Sequence, residues 1–207
     1  MKILVATHNP AKFNRYKNLL EHLDNFTVVS LFDIGITEKI DEPFTNAKDN
    51  AIHKAKFYSK KTSLITIAID EAVHTNFLPN DEQPGVYVRR LKKGNTEFTD
   101  QDILSFWEET FRQYPQPNKK FTWDFSIAYY NPQNDRLGFS RVEVESTVIQ
   151  PFSQKLVPGY PMSSFLGLSG THKQHSELTE QEKATNDAGN FKSFVQNFTI
   201  WIKEELK

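Results

Sequence analysis

The sequence predicts an α/β fold with a mixed β-sheet and flanking helices. Apolar runs of strand length alternate with helical patterns through residues 2–69, which gives the order β-α-β-α-β. A hairpin follows over 121–149, and helical patterns close the chain. Alternating strands and helices are typical of α/β proteins with parallel strands, and the added hairpin makes the sheet mixed.

The first strand and the first helix are joined by a short turn. Residues 2–6, KILVA, are an apolar run of strand length. Asn9 is a favourable N-cap residue and Pro10 suits the first helical position, so a helix is predicted from Pro10. Its apolar face is predicted from the helical spacing of Phe13, Tyr16, Leu19 and Leu20.

A second strand is predicted over 26–32, and a loop separates it from the second helix. Thr45 is predicted to cap that helix. Its alanines recur at four-residue spacing, at Ala47, Ala51 and Ala55. Such small side chains favour close packing against a sheet. The apolar run 64–69 then predicts a third strand that ends where Asp70 and Glu71 begin.

Two later helices carry capping signals. Thr99 is followed three residues later by Asp102, and Thr179 by Glu182, which predicts a helix start at each place. The chain is predicted to form one domain, residues 1–207, in which roughly 78–150 is a candidate second lobe.

Composition excludes several classes of protein. The chain has 25 basic and 26 acidic residues, so no basic excess indicates binding to duplex nucleic acid. It has no cysteine, which excludes disulfides, zinc–thiolate sites and cysteine nucleophiles. No apolar run approaches the length of a membrane span. We therefore expect a soluble cytoplasmic protein without a membrane or duplex nucleic acid as partner.

The turn THNPAK after the first strand is a candidate anion site. The N-terminus of a helix gathers unpaired N–H groups and the positive end of the helix dipole. Thr7 and Asn9 offer polar groups there, and Lys12 in the first turn adds a full positive charge. The alternative is that Asn9 is only a cap and Lys12 only a solvated side chain.

Acidic residues after the loop and the third strand are candidate metal ligands. Glu42 lies in the loop, and Asp70 and Glu71 follow the strand. Mg²⁺ binds one or two carboxylates and keeps waters and substrate phosphates as its other ligands. A carboxylate beside the metal could also activate a water molecule. The alternative is that Asp70 and Glu71 only begin a turn.

Basic residues elsewhere could complete a phosphate site. The candidates are Lys54, Arg89, Arg90 and Lys183, each of which could equally be surface charge. His172 and His175 have a spacing that could hold a metal, but they stand in a polar loop without a supporting ligand pattern.

Five segments, taken in order, resemble the inosine/xanthosine triphosphate pyrophosphatase family. The first, ATHNPAK, matches a Thr/Ser-x-Asn-x-x-Lys turn through Thr7, Asn9 and Lys12. The second is a loop glutamate, here Glu42, before an Asn-Ala-x-x-Lys-Ala helix, here NAIHKA with Lys54.

The later segments continue the resemblance across nearly the whole chain. AIDEA keeps the second residue of an Asp-Asp pair as Asp70, and PGVYVRR matches a Pro-Gly-Val/Ile-Tyr-x-x-Arg motif through Arg90. SELTEQEK, the fifth segment, ends at Lys183. VPGYPMSS is a departure, since it keeps Gly159 and Tyr160 of a Gly-Phe-Gly-Tyr-Asp-Pro segment but loses its Asp.

The resemblance implies a long mixed sheet with two lobes around a central cleft. It implies Mg²⁺-dependent hydrolysis of ITP, XTP and their deoxy forms to the monophosphate and pyrophosphate, usually by a homodimer. Glu42 and Asp70 would hold the metal, and Asp70 would activate water. The implied substrate-binding residues are Thr7, Asn9, Lys12, Lys54, Arg90, Tyr160 and Lys183.

The sequence also departs from the family. The first residue of its Asp-Asp pair is Ile69 here, and the following Ser-Gly is Glu71-Ala72. A glutamate of its first helix is Arg15. The Ser-His-Arg that reads the purine 6-oxo group falls at Asp187, Ala188 and Gly189. The last two have no side-chain donor for a carbonyl.

Three hypotheses follow from this mixture. The protein is a pyrophosphatase with relaxed base specificity, a catalytically impaired relative that binds a nucleotide or phosphometabolite, or a structural or interaction protein. The kept lysines and carboxylates favour the first, whereas the lost residues favour the second.

Overall fold

The computed structural model describes residues 1–21, 23, 26–91, 96–168 and 172–205. The strands in these residues are β1 (Lys2–Ala6), β2 (Thr27–Ser30), β3 (Ile65–Thr75), β4 (Lys120–Asn131), β5 (Arg136–Val148) and β6 (Leu166–Leu168). The α-helices described are α1 (Pro10–Leu20), α2 (Ala47–Thr62), α3 (Asp100–Gln113), α4 (Glu180–Asn190) and α5 (Lys192–Glu205). The predicted α/β class is confirmed.

The strands form one six-stranded sheet in the order β2-β1-β3-β4-β5-β6. β1 pairs in parallel with β2 and with β3, whereas β5 and β6 pair antiparallel, so the sheet is mixed, as predicted. The last pair between β1 and β3 joins Ala6 to Ala68. β3 therefore continues beyond the carboxyl end of β1.

The third strand is longer than the sequence predicted. β3 does not end at Ile69 but runs through Asp70 and Glu71 to Thr75. Asp70 and Glu71 are each only 7% exposed. Acidic residues disfavour strands on average, but burial and partners at a particular position override that preference. The carboxylates lie within a strand, not in a turn, and just past the end of β1.

Most helix starts agree with the sequence prediction. Asn9 caps α1, and Thr99 forms a capping box with Asp102 at the start of α3. One predicted cap was wrong: α2 is capped by Asn46 and not by Thr45. The Asn46 side chain accepts a hydrogen bond from the Asp49 amide at 2.8 Å, which satisfies an N–H that the helix leaves open.

The chain divides into two compact units. The first comprises Met1–Glu71, Phe125–Val142 and Ala184–Lys207, and the second Ala72–Asp124 and Glu143–Lys183. The segment 78–150 is shared between them, so its role as a separate lobe stays a prediction. The candidate carboxylates and both N-terminal helices belong to the first unit.

The core of the first unit explains how its helices approach the sheet. Ala51 and Ala55 of α2 are fully buried in a cluster that includes Leu4 of β1 and Ala68 of β3. Without larger side chains in the way, the α2 backbone lies close to the strands. Polar side chains on the same helix can then reach β3.

A separate aromatic cluster forms the core of the second unit. Trp107 of α3 is fully buried and packs edge-on against Phe121 of β4, with ring centroids 4.7 Å apart. Phe77 and Phe165 join the same cluster.

No helix in the described part of the chain is long and apolar enough to cross a membrane.

Candidate active site

The first group of predicted residues, Thr7, Asn9 and Lys12, lies in the turn between β1 and α1 and in the first turn of α1. The Asn9 Oδ1 accepts hydrogen bonds from the amides of Ala11 and Lys12, at 2.9 and 3.3 Å. The Thr7 Oγ1 accepts from the Asn9 amide at 3.1 Å. Asn9 is therefore a helix cap in this structure, and phosphate binding by Thr7 and Asn9 stays a proposal.

The ammonium group of Lys54 on α2 lies between two carboxylates. Its Nζ is 2.8 Å from Glu42 Oε1 and 3.0 Å from Asp70 Oδ1. Lys54 and Asp70 are 9% and 7% exposed, so little water screens this contact. Three residues that the sequence analysis singled out separately, from a loop, a helix and a strand, thus meet at one point.

Asn50 completes the cluster on the same face of α2. Its Nδ2 donates to Asp70 Oδ2 at 3.1 Å and to the Phe44 carbonyl at 3.0 Å, and its Oδ1 accepts from the Phe44 amide. Both oxygens of Asp70 thus have a donor, and the loop beside Glu42 is tied to α2. Asn50 is the first residue of the Asn-Ala-x-x-Lys-Ala segment in the family resemblance, but no role was assigned to it from the sequence.

Burial sets the ionisation of Asp70. Removal from water raises the pKa of this carboxyl above its ordinary value, because the charged form loses its hydration. The ammonium of Lys54 acts in the opposite direction, and the nearby Glu42 carboxylate raises the pKa further. Asp70 is therefore a stronger base than an exposed aspartate.

Asp70 is expected to make the metal-free protein less stable as the pH rises. Because its pKa is raised on folding, its contribution is fully present below the ordinary value of 3.8 and is lost as the pH rises through the folded pKa. The quantity to compare is the free energy of unfolding in EDTA, wild type minus Asp70→Asn. As the pH rises, this difference should fall by up to about 1.4 kcal/mol per pH unit. Urea denaturation at several pH values measures it. A difference that stays constant or rises contradicts the burial argument.

Glu71 faces a different helix from Asp70. Successive side chains of a strand point to opposite sides, and Glu71 Oε2 accordingly lies 3.0 Å from Lys12 Nζ on α1. Glu71 therefore does not join the contact with Lys54.

The remaining predicted residues lie in the second unit. The Arg90 guanidinium lies over the Tyr87 ring, 5.5 Å from its centroid. Tyr160 immediately precedes a 3₁₀ turn, and Lys183 Nζ is 2.9 Å from Glu180 Oε1. These are local contacts within that unit, so a role in substrate binding stays a proposal for Arg90, Tyr160 and Lys183.

The donor set of the first unit fits Mg²⁺. Glu42 and Asp70 already share one cation, the Lys54 ammonium, and Mg²⁺ is held by one or two carboxylates together with water and phosphate oxygens. In the described residues, no group of three or more His, Asp or Glu side chains comes together, and His172 with His175 forms none. Any metal bound at Glu42 and Asp70 would therefore need ligands from solvent or substrate.

Three departures from the family pattern can be located in the structure: Ile69 is buried, and Arg15 and Asp187 form an ion pair with each other. Ile69 is 2% exposed and contributes an apolar side chain where the family has a carboxylate. Arg15 Nε donates to Asp187 Oδ2 at 3.2 Å, and its guanidinium also lies 5.7 Å from the Phe191 ring centroid. Arg15 of α1 and Asp187 of α4 thus differ from the family together and form an ion pair. Neither composition nor motif spacing indicated this pair.

The fold and the site define an α/β protein in which carboxylates and lysines lie just past the carboxyl end of the parallel strand β1. The chain belongs to the Ham1 family, whose model matches residues 3–188. A protein of Thermoanaerobacter pseudethanolicus named dITP/XTP pyrophosphatase is 36% identical over 185 residues, 88% of each chain. The predicted resemblance is confirmed.

Solved structures agree on the fold. The HAM1 protein from Coxiella burnetii superposes with a TM-score of 0.75 at 21% identity, covering 99% of both chains. The Staphylococcus aureus Ham1 protein gives a TM-score of 0.72 at 18% identity, covering 96% of this chain and 98% of the other.

Proposed function

We propose that the protein hydrolyses nucleoside triphosphates to the nucleoside monophosphate and pyrophosphate in a Mg²⁺-dependent reaction. Family membership and the name of the 36% identical relative support this class of reaction. The observation that carries the proposal is the contact of Lys54 with both Glu42 and Asp70. This contact brings one ammonium group and two carboxylates together, and one of these carboxylates, Asp70, is the proposed base.

Glu42, Asn50, Lys54 and Asp70 have separate roles in the proposed reaction. Asp70, with its raised pKa, accepts the proton of the attacking water, and Asn50 holds its second oxygen in place. Glu42 and Asp70 would hold Mg²⁺, which when bound would offset negative charge on the phosphates. Lys54 would then be available to bind a phosphate oxygen.

Further residues complete the proposed substrate site. Lys12 in the first turn of α1 binds phosphate, supported by its place at a helix N-terminus. Support for the rest of the set is the family motif alone. It consists of Thr7, Asn9, Arg90, Tyr160 and Lys183.

Pyrophosphate release over a panel of nucleotides tests the proposed activity. The wild-type protein is assayed with and without Mg²⁺ against ITP, XTP, dITP, ATP and GTP. Release that requires Mg²⁺ from at least one of them is the expected result. No release from any nucleotide contradicts the proposed activity.

A catalytically impaired nucleotide-binding protein is the second candidate, and Ile69 favours it. This buried apolar side chain removes one carboxylate that the family places beside Asp70. Thermal unfolding with the same panel separates the two candidates, because a ligand that binds only the native state raises the unfolding temperature. Stabilisation without turnover supports the second candidate.

Base selectivity is expected to be weak. Ala188 and Gly189 offer no side-chain donor, and Asp187 is paired with Arg15. Rejection of a wrong base by orders of magnitude requires buried polar groups that it leaves unpaired. We expect kcat/KM values for ITP, XTP, ATP and GTP within roughly a hundredfold of each other. A larger preference for ITP and XTP contradicts the alignment of Asp187–Gly189 with the base-reading motif.

The resemblance also supports a homodimer that acts in the cytoplasm. Light scattering coupled to size-exclusion chromatography measures the oligomeric state. A mass near twice the 24.0 kDa of one chain is expected, and the mass of a single chain contradicts the dimer.

A further inference from the structure

The ion pair between Lys12 and Glu71 differs from an ordinary surface contact. Glu71 is 7% exposed, and one carboxylate oxygen, Oε2, lies 3.0 Å from Lys12 Nζ. The other oxygen, Oε1, is buried and has no hydrogen-bond partner among the residues that the structure describes. A buried acceptor without a donor is unfavourable, so a cation or a hydrogen-bond donor that reached this oxygen would stabilise it.

This ion pair occupies the lysine on which the proposed phosphate site depends. Lys12 lies in the first turn of α1, where the helix dipole favours an anion. A phosphate that takes Lys12 away leaves Glu71 as a buried carboxylate with no counter-ion. Breaking a buried pair in this way is strongly unfavourable unless another positive charge replaces the lysine.

We propose that Glu71 makes the binding of polyphosphate at Lys12 conditional on a divalent cation. A cation that arrives with the ligand supplies the charge that Glu71 loses when Lys12 turns to phosphate. Glu71 is thus a specificity-determining residue that selects the metal complex of a polyphosphate over the free anion. This proposal rests on the proposed function, in which Lys12 binds phosphate.

Calorimetric titration with inorganic triphosphate, in Mg²⁺ and in EDTA, tests the role of Glu71. In EDTA, Glu71→Gln should bind triphosphate roughly tenfold or more tightly than wild type, because Lys12 is released from a charged partner. The ratio of affinities with and without Mg²⁺ should shrink by the same factor. Glu145→Gln is the matched control, since Glu145 is an exposed strand carboxylate 2.8 Å from Lys120 Nζ. It should behave as wild type.

A double substitution separates release of Lys12 from simple charge removal. In a Lys12→Ala background, Glu71→Gln should give little further gain, because no lysine remains to be released. An undiminished gain in that background overturns the proposal, as does an unchanged Mg²⁺ ratio in Glu71→Gln. Binding to wild type that is equal with and without Mg²⁺ overturns it while leaving the proposed function intact. Absence of triphosphate binding to every variant even in Mg²⁺ overturns both.

Discussion

Replacement of Asp70 by asparagine is expected to reduce Mg²⁺-dependent pyrophosphate release by roughly 10²- to 10⁴-fold. An amide cannot accept the proton of the attacking water and is a poorer metal ligand than a carboxylate. The fold should persist, because Asn has nearly the same shape as Asp and Asp70 sits in β3 among otherwise unchanged neighbours. Steady-state turnover measures the loss, and circular dichroism verifies the fold.

The control for Asp70→Asn is Asp41→Asn. Asp41 is an exposed carboxylate in the loop directly before Glu42. Its loss should leave turnover close to wild type, which separates the role of Asp70 from a general effect of lost negative charge. Wild-type turnover in a folded Asp70→Asn variant removes Asp70 from the mechanism.

Replacement of Lys54 by methionine is expected to destabilise the metal-free protein by about 3–5 kcal/mol. Lys54 is the cation between Glu42 and Asp70, and its loss leaves buried Asp70 without that counter-ion. Methionine keeps the apolar stem, so the change in packing is small. Urea denaturation in EDTA measures the free energy of unfolding.

Mg²⁺ should restore part of the stability lost in Lys54→Met, because Glu42 and Asp70 would bind the cation and only the native state brings them together. Lys61→Met is the matched control on α2, since Lys61 is exposed and its ion pair with Glu38 lies at the surface. It should cost no more than about 1 kcal/mol. If Lys54→Met lowers the free energy of unfolding by no more than this control, Lys54 does not act as a buried counter-ion between Glu42 and Asp70.

Local signals in the sequence were sufficient to predict most of the helix starts. Asn9 and Thr99 each lie where a polar cap precedes an apolar helical period, and both cap helices in the structure. Thr45 failed as a cap because Asn46, one residue later, offers its side chain to the Asp49 amide. Two neighbouring capping residues cannot be ranked from sequence, since either places a polar oxygen near the first turn.

The partners of the acidic pair could be predicted only in part. Strand alternation predicts that Asp70 and Glu71 point to opposite sides, and they do. It does not predict that Lys54 and Lys12 meet them, because this depends on how closely α2 and α1 approach the strands. The continuation of β3 beyond Ile69 escaped prediction for the same reason, since tertiary packing outweighs the turn preference of acidic residues.

The identity of the products tests the proposed reaction most directly. Wild-type protein is incubated with ITP, XTP, ATP or GTP and Mg²⁺, and the phosphorus signals are followed by NMR spectroscopy. The nucleoside monophosphate and pyrophosphate should appear together in equal amounts, and Asp70→Asn should form both at a rate lower by roughly 10²- to 10⁴-fold. A nucleoside diphosphate with orthophosphate, or no product from any of the nucleotides, would contradict a pyrophosphatase built on Glu42, Lys54 and Asp70.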